Sequence, residues 1–249
     1  MIPKVIHYCW FGRNPLPGLA NKCIESWKKY LPDYEIKEWN EDNFDVNMVA
    51  YTAEAYKNKK YAFVSDYARF WILYNYGGIY FDTDVEVIKP MNEIINKGSF
   101  MGCEQIFVNH KYIPYVNAGL GMGVIPKNSF FKEILDVYNN RYFISAKGGM
   151  TGTVVQIITA LIKNHDEKID LNKVVTFKDI TLYPSEYFAP KNYNTGELTI
   201  TEKTCTIHHY VASWSNKTDK LPYLVSRMNQ IKTILRHFCF IITYKLFKR

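Results

Sequence analysis

Residues 62–90 hold the feature that most restricts the fold, because the spacing of apolar residues changes there from a helical to a strand pattern across two adjacent glycines. Residues 62–76 read as a helix and Gly77-Gly78 stands at its C-cap, where a left-handed backbone is needed. GIYFDTDVEVI, beginning at Gly78, is the strongest strand signal in the chain and is stopped by Lys89-Pro90. A helix that feeds directly into a strand packs on the sheet which that strand joins, so a layered α/β fold is expected.

The flanking sequence extends the alternation. KVIHYCW reads as a first strand, residues 18–30 as a helix with Ile24, Trp27 and Tyr30 on one side, YEIKEWN as a second strand and residues 47–58 as a further helix. Downstream, strands are expected at 99–104, 116–125, 173–182 and 197–210, and helices near 129–140 and 152–163. The pattern predicts a mixed sheet flanked by helices over residues 1–220. A separate amphipathic helix follows at 221–249, where Leu224, Met228, Ile231, Leu235, Phe238 and Ile242 recur on one face.

Charge is concentrated in that last segment. Residues 221–249 carry six of the basic residues and no acid, which leaves 25 basic against 24 acidic residues elsewhere, although the whole chain stands at +7. Basicity confined to one helix argues against a nucleic-acid surface and for a local anionic contact; the helix either lies among the headgroups of a membrane surface or packs on the domain. The five cysteines are scattered without C-x-x-C spacing, which points to a reducing compartment rather than a disulfide or zinc framework. The N-terminus lacks the apolar run of a secretory signal, and no stretch approaches the roughly 18 apolar residues of a membrane span.

The chemistry is expected at Asp82 and Asp84. On an extended strand two residues apart share a side, so both carboxylates would face one point while Thr83 faces away. Adjacent carboxylates repel unless a cation lies between them, and hard oxygen ligands favour Mg²⁺ or Mn²⁺. Such an ion can bridge the phosphates of a nucleotide diphosphate and stabilise it as a leaving group. Asp66 and Arg69, three apart on the preceding helix, share a face as well. The apolar strand would carry the acids to the carboxyl edge of the sheet, where open α/β sheets bind ligands.

Taken together, VIHYCWFG, SDYARFWILYNYGGIYFDTDVE and the later IHHYVASW resemble glycosyltransferase family 32, whose sugar-binding region carries a DXD motif. The similarity runs through residues 2–126 and resumes at 205–214. It implies a GT-A fold, a divalent metal (Mn²⁺ or Mg²⁺) and transfer of a sugar from a nucleotide-sugar donor with retention of configuration. On the same resemblance Trp10 would stack on the base, while Asp66, Arg69, Tyr80, Asp82, Ser213 and Trp214 would contact the donor. Asp82, Asp84 and His209 would hold the metal, with His209 preferred to His208 because the small Ala212 follows three residues later.

Two departures from the family pattern, Ala212 where glycine is common and Gly152-Thr153 where Gly-Pro is common, fall on the acceptor side. The acceptor candidates are Asn117 and Gln156, polar residues among small ones. No carboxylate is placed by the sequence as a nucleophile for double displacement. The resulting expectation is a hexosyltransferase of bacterial surface polysaccharide synthesis (O-antigen or capsule). It would act on a lipid-linked acceptor and sit at the cytoplasmic face of the cell membrane through residues 221–249, with UDP-galactose the favoured donor. A nucleotide-sugar hydrolase or pyrophosphatase using the same metal site, and a non-catalytic carbohydrate-binding protein, are the competing readings.

Overall fold

A computed structural model describes residues 1–108, 110–144 and 152–211. In chain order the elements are β1 (Val5–Cys9), α1 (Gly18–Tyr30), β2 (Glu35–Trp39), α2 (Ala50–Lys57), α3 (Tyr61–Tyr76), β3 (Gly78–Tyr80), β4 (Val85–Val87), α4 (Asn92–Ile95), β5 (Ser99–Val108), β6 (Lys111–Val116), β7 (Met122–Val124), α5 (Ser129–Asn139), α6 (Val154–His165), β8 (Val175–Phe177), β9 (Ile180–Tyr183), α7 (Ser185–Phe188) and β10 (Thr206–His208).

The main sheet runs β2-β1-β3-β7-β5-β9-β8, with β6 paired to β5. It is mixed: β1 is parallel to β2 and β3, β5 is parallel to β9, and β7 is antiparallel to both of its neighbours. Helices cover both faces, giving a layered α/β sandwich with a mixed sheet. Strand periodicity sorts side chains between the two layers. In β3 and just beyond it, Ile79 and Phe81 enter the layer that holds Cys23, Ile24 and Trp27 of α1, while Tyr80 enters the opposite layer with α3. Trp27 is fully buried against Phe81 and its ring N–H donates to the Val85 carbonyl at 2.7 Å, so its polar atom is satisfied. Burying an aromatic of this size contributes roughly 2–3 kcal/mol.

Helix α3 is central, with ten of its residues from Phe63 to Leu73 buried, and it ends at Gly77 in a left-handed conformation (φ 65°). Gly78 follows at φ 100°, where a side chain would meet the Val5 carbonyl at 2.7 Å. Two glycines are therefore required to turn a buried helix straight into a central strand.

Several expected boundaries differ. The single strand expected over GIYFDTDVEVI is two short strands in different sheets, since β4 leaves the main sheet to pair antiparallel with β10. A turn separates them, closed by the Val85 N–H donating to the Asp82 carbonyl at 3.0 Å. Of the strand expected at 116–125 only Met122–Val124 (β7) forms one beyond Val116, the last residue of β6, and 173–182 is the β8–β9 hairpin. Of 197–210 only Thr206–His208 is a strand. In each case a turn interrupts an apolar run that sequence periodicity reads as continuous. Ala212, Ser213, Trp214 and the amphipathic helix expected at 221–249 lie outside the described residues.

Candidate active site

The site is built where α3, the β3–β4 turn and the end of β10 meet. Asp66 and Arg69 lie one helical turn apart and are buried, with Asp66 Oδ1 3.0 Å from Arg69 Nη2. The same guanidinium nitrogen stands 3.3 Å from Asp82 Oδ1, and Arg69 Nε donates to the Ser65 carbonyl at 3.0 Å. The Tyr80 hydroxyl donates to Asp82 Oδ1 at 3.1 Å, and the Arg69 guanidinium lies 4.9 Å from the centre of the Tyr80 ring. Below Asp82, Gly119 leaves the space that its carboxylate occupies: a Cβ there would sit 2.1 Å from Asp82 Oδ2. One carboxylate is thus held by a cation, a phenol and an absent side chain.

Asp84 is held from the other side. Its Oδ1 is 3.2 Å from His208 Nε2, its Oδ2 accepts from the Val211 N–H at 2.9 Å, and its carbonyl accepts from the His209 N–H at 2.9 Å. Burial works against the Asp84 charge, but the His208 charge and these hydrogen bonds outweigh it and hold the carboxyl down at about 2. His208 is raised for the reciprocal reason, with Asp84 outweighing burial. Burial pushes Asp66 up to about 7, opposed by Arg69 and helped by the Asp82 charge. Glu104, buried on β5, is also raised by burial against the pull of His208 and hydrogen bonds from Asn117 and Tyr210.

Ligand atoms of Asp82, Asp84 and His208 all lie within 4.8 Å of one another. Two carboxylates and one imidazole suit a hard or borderline divalent cation, and among the described residues His208 Nδ1 is buried without a hydrogen-bond partner. The residues present therefore fit such an ion. They border a cavity of about 430 Å³ that is also lined by Trp10, Ser65 and Arg69.

The structure brings some of the expected residues together and keeps others apart. Trp10, Arg69, Asp82 and Asp84 share the cavity, and the Trp10 indole is pinned by donating to the Asn14 carbonyl at 2.6 Å. The two acids converge through the β3–β4 turn, not through the strand alternation invoked from their spacing. His209 is not beside them, because its Nε2 lies 2.9 Å from Glu86 Oε2. His208 is the histidine at Asp84 because adjacent residues project to opposite sides of a strand, and His209 takes the side of Glu86, which is the partner of Ile207. Tyr80 is buried and steadies Asp82 without lining the cavity.

Asn117 accepts from the Gly119 N–H at 2.7 Å, close beneath Asp82. Gln156 is spent on a capping box, its side chain accepting from the Thr153 N–H at 3.0 Å at the start of α6, so a local helix signal explains it. The sequence reading overlooked Ser65, Lys59, Lys60 and Tyr61 along the cavity, as well as Glu104 and Tyr210 behind His208. Ser65 was detectable one residue before Asp66; Tyr210 had no signal, because its position depends on Glu104 more than a hundred residues away.

Comparison with known proteins agrees with this geometry. Residues 17–101 match the glycosyltransferase sugar-binding region containing the DXD motif. An uncharacterised glycosyltransferase of Acanthamoeba polyphaga mimivirus is 30% identical over 226 residues, covering 86% of this chain and 84% of that protein. Inositol phosphoceramide mannosyltransferase 1 of Schizosaccharomyces pombe is 29% identical over 156 residues, or 57% of this chain, and the match spans only 45% of the yeast protein. Among solved structures the PaToxG glycosyltransferase superposes with a TM-score of 0.48 at 18% identity, covering 68% of this chain and 72% of that one. With its Asp-Thr-Asp turn inside the matched segment and a relative aligned over most of both chains, this protein belongs to the DXD-motif glycosyltransferases.

Proposed function

We propose that this glycosyltransferase moves a hexose from a nucleotide-sugar donor to a glycan acceptor with retention of configuration, in the assembly of a bacterial surface polysaccharide. The observation that carries the donor reading is the convergence of Asp82, Asp84 and His208 at a cavity lined also by Trp10 and Arg69. Bound by those three residues, Mn²⁺ or Mg²⁺ would supply Lewis-acid neutralisation of a departing diphosphate. Arg69 orients Asp82 through its guanidinium, and Tyr80 fixes the same carboxylate from the strand side. Trp10 offers a half-buried ring to the base. Among the described residues the cavity lining contains no carboxylate beyond Asp82 and Asp84, which leaves none free as a nucleophile and favours a same-face transfer over double displacement.

UDP-galactose is the first donor to test. GDP-mannose belongs beside it because the yeast relative is named for mannose transfer, and that relative's named acceptor is a lipid, which supports a lipid-linked acceptor here. A lipid-linked acceptor also agrees with a basic segment at 221–249 working at the cytoplasmic face of a membrane.

The test is product analysis with UDP-galactose, UDP-glucose and GDP-mannose plus Mn²⁺, with and without added glycans. Asp84→Asn is expected to lower transfer by on the order of 10²-fold or more. Unchanged turnover of that variant would remove the site assignment, and sugar release indifferent to any acceptor would identify a hydrolase instead.

A further inference from the structure

An aromatic row leads away from His208, outside the cavity that Trp10 and Arg69 line. After His208 the chain reaches Tyr210 in a left-handed conformation (φ 56°), which a bulky residue adopts only when its surroundings impose it. Here the Tyr210 hydroxyl donates to Glu104 Oε2 at 3.1 Å, and its ring stands edge-on to His208 with centroids 4.3 Å apart. Tyr193 meets the Tyr210 ring edge-on at 5.3 Å. The Lys191 ammonium donates to the His209 carbonyl at 3.2 Å and ties the two segments together.

The row continues away from the metal ligands. Asn192 donates to the Tyr112 hydroxyl at 2.8 Å, and Tyr112 packs on Phe107 at 5.0 Å across the β5–β6 hairpin. Three of these rings reach solvent, with Tyr193 41%, Tyr112 49% and Phe107 36% exposed. The row thus runs from a histidine of the candidate site out to solvent. Flat ring faces bordered by an amide and hydroxyls match a saccharide, which presents an apolar C–H face and a polar rim.

We propose that Tyr193, Tyr112 and Phe107, anchored to the reaction centre through Tyr210 and Glu104, form the subsite for the acceptor saccharide. The assignment rests on the transferase reading above and extends it beyond the donor cavity. It places acceptor recognition on rings supplied by the β5–β6 hairpin and the 191–193 turn.

Saturation-transfer NMR with lactose and methyl α-mannoside, recorded with UDP and Mn²⁺ present, tests this. Saturation should pass to the sugar C–H protons of at least one saccharide, fall several-fold to about tenfold in Tyr193→Ala, and return in Tyr193→Phe, which keeps the ring. Calorimetric binding of UDP with Mn²⁺ should be the same in all three proteins. No transfer to either saccharide, or equal transfer in Tyr193→Ala, overturns the subsite, as does a dimer that Tyr193→Ala dissociates. Failure of the unaltered protein to bind UDP with Mn²⁺ is a separate readout, and it removes the donor reading and the acceptor assignment with it.

Discussion

Replacing Gly119 with alanine should separate activity from stability. The added methyl would lie 2.1 Å from Asp82 Oδ2, whereas ordinary contact begins near 3.4 Å, so the carboxylate must retreat by more than 1 Å. The backbone need not resist, because the clash falls on the far end of a side chain and Gly119 is not among the glycines with positive φ. Moving Asp82 loosens its contacts with Arg69 and the Tyr80 hydroxyl, while Arg69 keeps Asp66. The loss of those contacts costs about 1–2 kcal/mol, partly offset by the lower entropy of the unfolded alanine chain. In a chain of this size that lowers Tm by only a few degrees. A displacement of about 1 Å in a metal-holding carboxylate, by contrast, is expected to cost on the order of 10²-fold in turnover. The assay is thermal unfolding beside nucleotide-sugar turnover and Mn²⁺-dependent UDP affinity. Turnover within threefold of the parent would show that the position of Asp82 does not matter, and a collapse of Tm would show that Gly119 serves folding instead.

Further outcomes follow from particular contacts. His208→Ala should weaken Mn²⁺-dependent UDP binding by roughly 10- to 100-fold, whereas His209→Ala, which removes a partly exposed pair with Glu86, should change it less than threefold; equal effects in calorimetry would return the choice to His209. Burial holds His7 down at about 4 from an ordinary 6.5, outweighing its hydrogen bond to the Gly77 carbonyl, while the Trp39 indole N–H donates to its Nδ1. Below pH 6.5 the unfolded chain therefore takes up a proton that the folded chain refuses, so stability falls as pH drops from about 6.5 to about 4, by roughly 3 kcal/mol in total. His7→Gln should flatten that part of the urea-midpoint profile, and an unchanged slope would exonerate His7. Ending the chain at residue 220 should reduce sedimentation with anionic liposomes at low salt; equal sedimentation would dismiss the basic segment as the membrane contact.

How far the sequence could be read depends on the range of the forces involved. The α3–β3 junction was legible because a change of periodicity across two glycines is a local property, and the positive φ at Gly77 and Gly78 leaves little alternative. The pairing of Asp66 with Arg69 was legible for the same reason, since i,i+3 neighbours on a helix meet wherever the helix lies. So was the Asp82-Thr83-Asp84 group, whose identity and spacing survive although a turn, and not a strand, brings the two carboxylates together.

Tertiary packing decided the rest. Whether His208 or His209 reaches Asp84 is set by the register of β10 on β4, strands more than a hundred residues apart in the chain. The burial that raises Asp66 and the opposing contacts that keep Asp84 ionised depend on layers assembled from distant segments. Gln156 looked like an acceptor ligand in one dimension and is a helix cap in three. Backbone conformation and helix-face pairs arise from neighbours a few residues apart and can be read along the chain, but a dielectric environment or a ring of ligands is set by residues that meet only after the sheet has formed.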